Sequence, residues 1–506
     1  MKIKSKVLLK KEYIALYLII FIGAFLRLQG VFTNSFAFTF DVGRDMLALW
    51  SIVVTHKIPL IGAIVGGNSA SDLPGIFYGP WWYYFLTPFY ILFSGNPQGI
   101  AFVMALIGIA TIVLGFIFGK KIGGTILGLI IALLMSTSPI LVALSAQIWN
   151  PDIAPLFVML ILFLLMNIFK GKRNLKSYFF LGLLLAFCID IQIIFGIFLS
   201  IGIVLTLIII KNKNISIKEI LLFVLGCLVI FAPRIIFELR HQFLMTKALI
   251  TYFLKGSPSL SHLSLLTTVS NRLNVFFDQF NSTLALGNKL LGVVILLFTV
   301  FTIIFLYKKA DKKIKDLIKT SLIVIIVFLL GTVFLSHDIW PHYLVGLPVF
   351  YILLFSISLY LFSKKLSNNL IPILIALVIF LINLNPIALK DSLTKPLWEG
   401  DASVYRNQVA VIDYIYKQAQ GKDFKYVVYT PPLYDYTYQY LFLWYGPNKY
   451  HYSPIKQSKL AYFILEPDLQ YPWRLTDWLK SRAGDGKIIK SEKVKGGIIV
   501  QTRINK

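Results

Sequence analysis

The chain has 506 residues, of which 57% are hydrophobic and only 14% are charged, and its formal net charge is +26. A soluble domain has roughly a quarter of its residues charged, so this composition excludes a soluble protein and predicts a polytopic membrane protein. The positive charge alone could indicate nucleic-acid binding, but no groove-reading module accompanies it, and we predict no nucleic-acid partner. The only cysteines, Cys188 and Cys227, lie in hydrophobic segments, which excludes a disulfide framework.

Patches of lysine and arginine between the apolar segments predict how the chain crosses the membrane. Short loops rich in these residues stay on the cytoplasmic side, next to anionic lipid headgroups. We therefore expect a plasma-membrane protein with a cytoplasmic N-terminus and an extracytoplasmic C-terminus. The six patches span residues 2–11, 120–121, 170–176, 211–218, 308–319 and 364–365.

Apolar runs of spanning length predict about eleven transmembrane helices. The run 178–210 has a lysine patch at each end and exceeds the hydrocarbon core as a single helix, so it should form two short spans that turn near Asp190 and Gln192. Residues 76–93 would reverse the side of every later patch if they crossed, so we predict a re-entrant or interfacial segment. The other nine spans are expected at about 13–31, 98–119, 123–141, 152–169, 219–235, 287–307, 320–336, 341–361 and 369–385.

The chain divides into two predicted domains. Residues 1–386 form the transmembrane domain, with interfacial helices in an outer loop at about 32–94, and residues 387–506 form a small extracytoplasmic α/β domain. No residue of the second domain suggests catalysis. This domain could cap the site, bind an acceptor or act as a scaffold. Its predicted helices are 406–420 and 472–482, and its predicted strands are 424–429, 461–465, 487–494 and 497–503.

The first outer loop contains an acidic motif, Phe40-Asp41-Val42-Gly43-Arg44-Asp45, followed by an amphipathic pattern typical of an interfacial helix. Asp41 is expected just ahead of that helix. It would either cap the helix N-terminus, with Asp45 paired to a cation, or accept a proton from a hydroxyl substrate. The apolar stripe consists of Met46, Leu49, Trp50 and Val53.

Two further outer segments carry candidate binding residues. The aromatic segment that contains Trp81 and Tyr83 fits either an interfacial aromatic belt or a surface that stacks on sugar. In the turn before residue 153, Asn150 and the following proline fit the start of a helix, with Asn150 as its cap. Asp152 would then either favour the helix N-terminus or bind substrate or metal.

Three cationic or titratable residues lie where the seventh predicted span emerges from the membrane. Arg234, Arg240 and His241 are either flanking charges or a site that holds a lipid phosphate through forked hydrogen bonds. Later, His337, Asp338 and His342 offer possible ligands, but their spacing matches no zinc signature. We therefore assign no metal ligands, and a divalent metal cofactor is left open.

The order of these features resembles the GT-C superfamily of membrane glycosyltransferases, which take sugar from a polyprenyl-phosphate carrier. Within it the chain looks most like the branch that contains protein O-mannosyltransferases and the lipid A aminoarabinose transferase, over roughly residues 1–386. Asp41 to Arg44 matches the family's motif, with Val42 where a glutamate is common. Tyr78-Gly79-Pro80 stands where the family often has a cation and two prolines, so that cation must come from elsewhere or be absent.

The resemblance implies an inverting sugar transfer from a polyprenyl-phosphate donor to a hydroxyl of a lipid, glycan or protein on the outer face. Asp41 would be the general base. A lipid-sugar flippase and a glycan polymerase or ligase are the alternatives, and a flippase should show paired repeats or broken helices in both halves. The expected substrate-binding residues are Arg44, Tyr78, Trp81, Tyr83, Asp152, Arg234, Arg240, His241 and His342.

Overall fold

The structure, a computed structural model, describes residues 2–65, 75–170, 174–211, 215–255, 264–335, 338–385, 401–431 and 434–504. Helices dominate up to residue 385, and the chain after residue 400 adds a small sheet. The helices before residue 386 are α1 (Lys2–Phe32), α2 (Phe40–Thr55), α3 (Trp81–Leu92), α4 (Pro97–Gly123), α5 (Thr125–Thr137), α6 (Pro139–Ser145), α7 (Ala154–Phe169), α8 (Leu175–Ile191), α9 (Ile193–Lys211), α10 (Ile217–Arg240), α11 (Leu244–Lys255), α12 (Leu265–Leu284), α13 (Lys289–Leu306), α14 (Lys312–Val333), α15 (Leu347–Leu366) and α16 (Leu370–Leu384).

Apolar helices occupy all eleven predicted span positions. In the described part of the chain, eight helices are long and apolar enough to cross a membrane, and the bent pair of α5 and α6 makes a ninth. The two remaining positions hold shorter helices, α8 with 17 residues and α16 with 15. The predicted multi-pass helical fold is confirmed.

The helical run 175–211 is interrupted at Gln192, as the sequence predicts. Its backbone is extended (φ −151°, ψ 106°), and it separates α8 from α9. Helix α8 then packs tightly against α10 through glycines: a Cβ on Gly182 or Gly226 would overlap the backbone of the opposite helix. Such close approach through small residues is typical of helix packing in membranes, where apolar burial alone gives little drive to associate.

The loop predicted to face outward holds two helices, α2 and α3. Helix α3 has 12 residues, too few to cross a hydrocarbon core of about 30 Å. An antiparallel bridge between Ile64 and Phe77 joins the two arms of the loop ahead of α3. The segment around residues 76–93 is therefore not a span, in agreement with the prediction.

The C-terminal region is α/β and closely follows the predicted elements. The elements are α17 (Tyr405–Ala419), β1 (Lys425–Tyr429), α18 (Tyr436–Leu443), α19 (Tyr445–Tyr450), β2 (Leu460–Leu465), α20 (Pro472–Ser481), β3 (Lys487–Lys493) and β4 (Ile499–Ile504). The four-stranded sheet has the order β1-β2-β4-β3; β1 pairs with β2 in parallel, and the other pairs are antiparallel. The sequence does not predict the two short aromatic helices α18 and α19, and the predicted domain boundary at 386–387 lies outside the described residues.

The C-terminal region packs directly on the outer loop of the membrane domain. The rings of Phe36 and Tyr405 stack with their centroids 4.9 Å apart. Helix α18 lies so close to α2 that a Cβ on Gly43 would overlap the backbone at Thr437. These contacts bring the C-terminal region over the N-terminal end of α2, where the acidic motif lies.

Candidate functional site

A cavity of about 840 Å³ opens where three parts of the chain meet. One wall is the segment 37–42 with the start of α2, the second is the turn 147–149, and the third belongs to the C-terminal region. Asp41 is one of its lining residues. The lining includes four polar side chains and three aromatic ones: Asp41, Asp401, Gln408, Glu466, Phe40, Trp149 and Tyr434.

Asp41 lies in the first turn of α2 rather than ahead of it. The N-cap is Thr39, whose side chain makes no capping bond, so the expectation that Asp41 caps the helix is wrong. Its Oδ1 accepts a hydrogen bond from Arg44 Nη1 at 2.6 Å, and no hydrogen bond from a described residue engages its Oδ2. Burial raises the pKa of Asp41 above its ordinary value, and the neighbouring guanidinium of Arg44 opposes that rise.

Arg44 also binds Asp45, the next residue along the helix, whose side chain is buried. Its Nη2 lies 2.8 Å from Asp45 Oδ1, the cation pairing expected for Asp45. Trp82 Nε1 donates to Asp45 Oδ2 at 2.9 Å, and the Tyr83 hydroxyl donates to Oδ1 at 3.3 Å. These bonds fix the guanidinium, and they explain why the aromatic segment packs against α2.

A second ion pair forms at the break between α8 and α9. Asp190 is fully buried, and its Oδ1 lies 2.9 Å from Arg234 Nη2. The backbone N–H of Trp81 donates to Asp190 Oδ2 at 3.0 Å, and that of Gly79 donates to the Asp190 carbonyl at 3.0 Å. The aromatic segment has no Lys or Arg in its sequence. Asp190 links it to Arg234, because the same carboxylate bonds both Arg234 and the Trp81 backbone.

Tyr78 lies between the two ion pairs. It hydrogen-bonds to Gln192, and the charges of Asp41 and Arg44 both act on it. Burial raises the pKa of its hydroxyl, which is therefore neutral at physiological pH. Arg44, Tyr78 and Asp190 line one small cavity of about 10 Å³, so the two clusters are adjacent.

Asp152 lies apart from the large cavity. It lines a separate space of about 10 Å³ together with Arg27 and Ser145, and neither of its buried carboxylate oxygens has a hydrogen-bond partner within the described ranges. Arg27, which the sequence analysis missed, is 1% exposed and donates to Ser145 Oγ and to three backbone carbonyls. The expected cap at Asn150 is wrong, because its side-chain amide donates to the carbonyl of Ile191 instead.

The remaining candidates lie at different distances from the cavity. Arg240 and His241 are exposed at the end of α10, where the His241 ring packs on Phe237 with centroids 4.3 Å apart, and neither lines the cavity. The His342 ring lies 4.9 Å from Trp149, which does line it. Burial lowers the pKa of His342 to about 4, so its imidazole is neutral at pH 7.

No metal site is evident in the parts of the chain that the structure describes: no group of three His, Cys, Asp or Glu side chains could hold an ion there. His337 lies outside those residues. The site has two buried functional groups that the sequence analysis left unassigned, Asp190 as an ion-pair partner and Glu466 in the cavity wall. Asp190 had a usable signal, a carboxylate within an apolar run, whereas nothing in the local sequence marks Glu466.

Comparisons with known proteins agree with this architecture. A family model described as dolichyl-phosphate-mannose-protein mannosyltransferase matches residues 78–237. None of the curated proteins matches the chain.

The chain is similar to two crystal structures of ArnT from Cupriavidus metallidurans. The apo structure is 11% identical and has a TM-score of 0.58, with 99% of this chain and 98% of that chain covered. The structure bound to undecaprenyl phosphate is 12% identical and has a TM-score of 0.57, with 97% and 96% covered. The archaeal oligosaccharyltransferase AglB from Archaeoglobus fulgidus, in complex with an inhibitory peptide and a dolichol-phosphate, is 14% identical with a TM-score of 0.45, covering 85% of this chain and 59% of that one.

The fold match extends over nearly the whole chain, and the family match covers the segment from the aromatic loop to the end of α10. Both confirm the resemblance predicted from the order of the outer-loop motifs. The chain is a multi-pass membrane protein with the GT-C fold and, on the family match, an enzyme of the glycosyltransferase class that resembles the branch of protein O-mannosyltransferases and the lipid A aminoarabinose transferase.

Proposed function

We propose that this protein transfers a sugar from a polyprenyl-phosphate donor to a hydroxyl group of an acceptor, with inversion, at the outer face of the plasma membrane. The observation that carries the proposal is the position of Asp41. It lines a cavity of about 840 Å³, and only one of its two carboxylate oxygens is held by Arg44.

In the proposed step, the acceptor oxygen bonds to the anomeric carbon as the bond from that carbon to the phosphate oxygen breaks. The hydroxyl proton passes to Asp41, and the electron pair of the broken bond stays on polyprenyl phosphate. A raised pKa makes Asp41 a stronger base than an exposed aspartate. Arg44 holds the carboxylate in place through Oδ1, which leaves Oδ2 to accept the proton of the hydroxyl.

Arg234 is the proposed partner of the leaving phosphate. Its ion pair with Asp190 uses Nη2, while its Nε is buried and has no hydrogen-bond partner in the described structure. A phosphate oxygen would satisfy that donor, and charge-assisted bonds of this kind stabilise developing negative charge. Arg240 and His241 are exposed beyond this point, so we assign the phosphate to Arg234 alone.

The proposed topology has the N-terminus in the cytoplasm and the C-terminal region outside. Lysine patches that should be cytoplasmic gather at one end of the bundle: Lys170 and Lys312 line one cavity, and Lys364 Nζ lies 3.3 Å from Asp311 Oδ2. Labelling of cysteines introduced at exposed positions tests this. Ser491→Cys should react with an impermeant maleimide on intact cells, and Asn368→Cys should react only after permeabilisation.

The activity is tested with purified protein and a polyprenyl-phosphate sugar labelled in the sugar. Asp41→Asn should abolish sugar transfer while leaving polyprenyl-phosphate binding within about twofold of wild type. Asp477→Asn, at an exposed surface ion pair, is the matched control and should transfer normally. Wild-type turnover in Asp41→Asn would remove Asp41 from the mechanism.

The same assay separates the rival functions. A flippase would move the labelled lipid across a vesicle membrane without releasing polyprenyl phosphate. A polymerase or ligase would move a whole glycan and leave a single-sugar donor unused. Release of polyprenyl phosphate together with one sugar of inverted anomeric configuration on the acceptor, read by NMR, supports the proposal.

A further inference from the structure

The C-terminal region supplies the outer wall of the cavity that Asp41 lines. We infer that this wall binds an uncharged, hydroxyl-rich acceptor of the carbohydrate class and disfavours a phosphorylated one. The inference rests on the proposed function, because it takes Asp41 as the point where acceptor and donor meet. Three features of the cavity, to which this wall contributes, support it.

The first feature is charge. Asp401 and Glu466 line the cavity with Asp41, and none of the described lining residues is Lys, Arg or His. This is unusual in a chain with 49 cationic and 23 acidic residues. A phosphate group entering this space would meet three acidic side chains, of which only Asp41 is paired with a described cation, and no described lining residue offers it a positive charge. A neutral acceptor would not be repelled.

The second feature is an excess of hydrogen-bond acceptors. Gln408 is 2% exposed, and its side-chain amide donates a hydrogen bond to Glu466. Its carbonyl oxygen has no hydrogen-bond partner among the described residues. Glu466 is held by the Tyr438 hydroxyl at 2.9 Å, and Asp401 Oδ1 accepts from Ser403. Carboxylate and amide oxygens that are already oriented need donors from the ligand, and hydroxyl groups donate while an ionised phosphate does not.

The third feature is the aromatic surface beside these oxygens. Phe40 and Tyr434 lie with their ring centroids 6.1 Å apart, and Trp149 is held against His342 on another wall. A sugar ring has an apolar C–H face and a rim of hydroxyls, so it fits a surface that offers flat rings next to polar acceptors. The cavity volume of about 840 Å³ also exceeds what one hydroxyl group requires and falls within the usual range for ligand pockets.

The test measures binding to the purified full-length protein in detergent. The probes are a panel of uncharged oligosaccharides of several sugar types, each with a counterpart that carries one phosphate monoester, and a basic serine-containing peptide. We expect at least one uncharged oligosaccharide to bind, with its phosphorylated counterpart at least tenfold weaker. Glu466→Gln should reduce the ratio of the two dissociation constants, phosphorylated over uncharged, at least threefold. Gln408→Met should weaken binding of the uncharged oligosaccharide severalfold. Asp477→Asn should change neither.

Several results would overturn the inference: equal or tighter binding of the phosphorylated probes, binding of the peptide alone, or no binding by any probe. A ratio unchanged by Glu466→Gln, or an affinity for the uncharged ligand unchanged by Gln408→Met, would also overturn it. Release of polyprenyl phosphate is assayed in parallel on wild type and Asp41→Asn. If Asp41-dependent release persists while the binding expectations fail, the acceptor assignment alone is wrong. If release does not depend on Asp41, the proposed function is wrong, and the acceptor assignment that rests on it is wrong as well.

Discussion

Asp190 occupies the space that a side chain on Gly79 would need. A Cβ built on Gly79 would overlap the Asp190 carboxylate, and the Gly79 N–H donates to the Asp190 carbonyl at 3.0 Å. This contact joins the end of α8 to the aromatic segment, although 111 residues separate them along the chain.

Gly79→Ala should therefore be strongly destabilising. The new methyl group meets a buried, ion-paired carboxylate, which cannot move without breaking its bonds to Arg234 and Trp81. We expect a loss of about 2 kcal/mol or more in the free energy of unfolding, and weaker binding of polyprenyl phosphate. Gly484→Ala is the matched control, because a Cβ there meets nothing within 4 Å. Equal thermal stability of the two variants would contradict the packing described.

Arg234→Gln should weaken binding of polyprenyl phosphate by about tenfold or more, because a charge-assisted hydrogen bond contributes roughly 1.5–3 kcal/mol. Arg240→Gln removes the same charge from an exposed position on the same helix and should change affinity less than twofold. Direct binding to the purified variants measures both. Similar losses in the two variants would mean that general positive charge at this end of α10, rather than Arg234, holds the phosphate.

The dependence of sugar transfer on pH should report the environment of Asp41. Burial raises its pKa, Arg44 lowers it and Asp45 raises it, in that order of size. Removing the cation in Arg44→Met should raise the pKa further, so the acidic limb of kcat/KM moves to higher pH. Asp45→Asn should move that limb to lower pH. Shifts in the same direction, or none, would argue that another group is the base.

The sequence predicts the membrane domain well because its signals are local. Apolar runs predict where the helices lie, and eight or nine of those helices in the described chain are long and apolar enough to cross a membrane. Asp190 within an apolar run correctly marks the break at Gln192. The elements of the C-terminal region also follow from local periodicity. Helices α18 and α19 escape prediction because their sequence, rich in tyrosine, has no clear apolar period.

The site is predicted only in part because its contacts join distant segments. The pairing of Arg234 with Asp190 and the burial of Arg27 depend on how helices pack, which no single-sequence pattern records. The cap at Asn150 fails for the same reason: a tertiary bond to Ile191 competes with the local one. The role of Glu466 as a cavity wall depends on the docking of the C-terminal region over α2.

Glu466 should make stability depend on pH. Burial raises its pKa from the ordinary 4.5 to about 7; bonds from Tyr438 and Gln408 oppose this rise, and Asp401 adds to it. Between these values the folded state binds the proton more tightly than the unfolded state, so the free energy of unfolding falls as pH rises from 4.5 to about 7, by roughly 1–3 kcal/mol. Thermal unfolding of Glu466→Gln across this range should be flatter than that of wild type. Parallel pH profiles would contradict the assignment.

A single-turnover experiment tests the role of Asp41 most directly. Enzyme is loaded with polyprenyl-phosphate sugar, mixed with saturating acceptor, and the rate of polyprenyl-phosphate release is followed in wild type, Asp41→Asn and Asp41→Glu. We predict a loss of at least a hundredfold in Asp41→Asn with donor binding retained, and partial activity at a shifted pH in Asp41→Glu, because general base catalysis typically contributes 10²–10⁴-fold. A wild-type rate in Asp41→Asn would contradict the account.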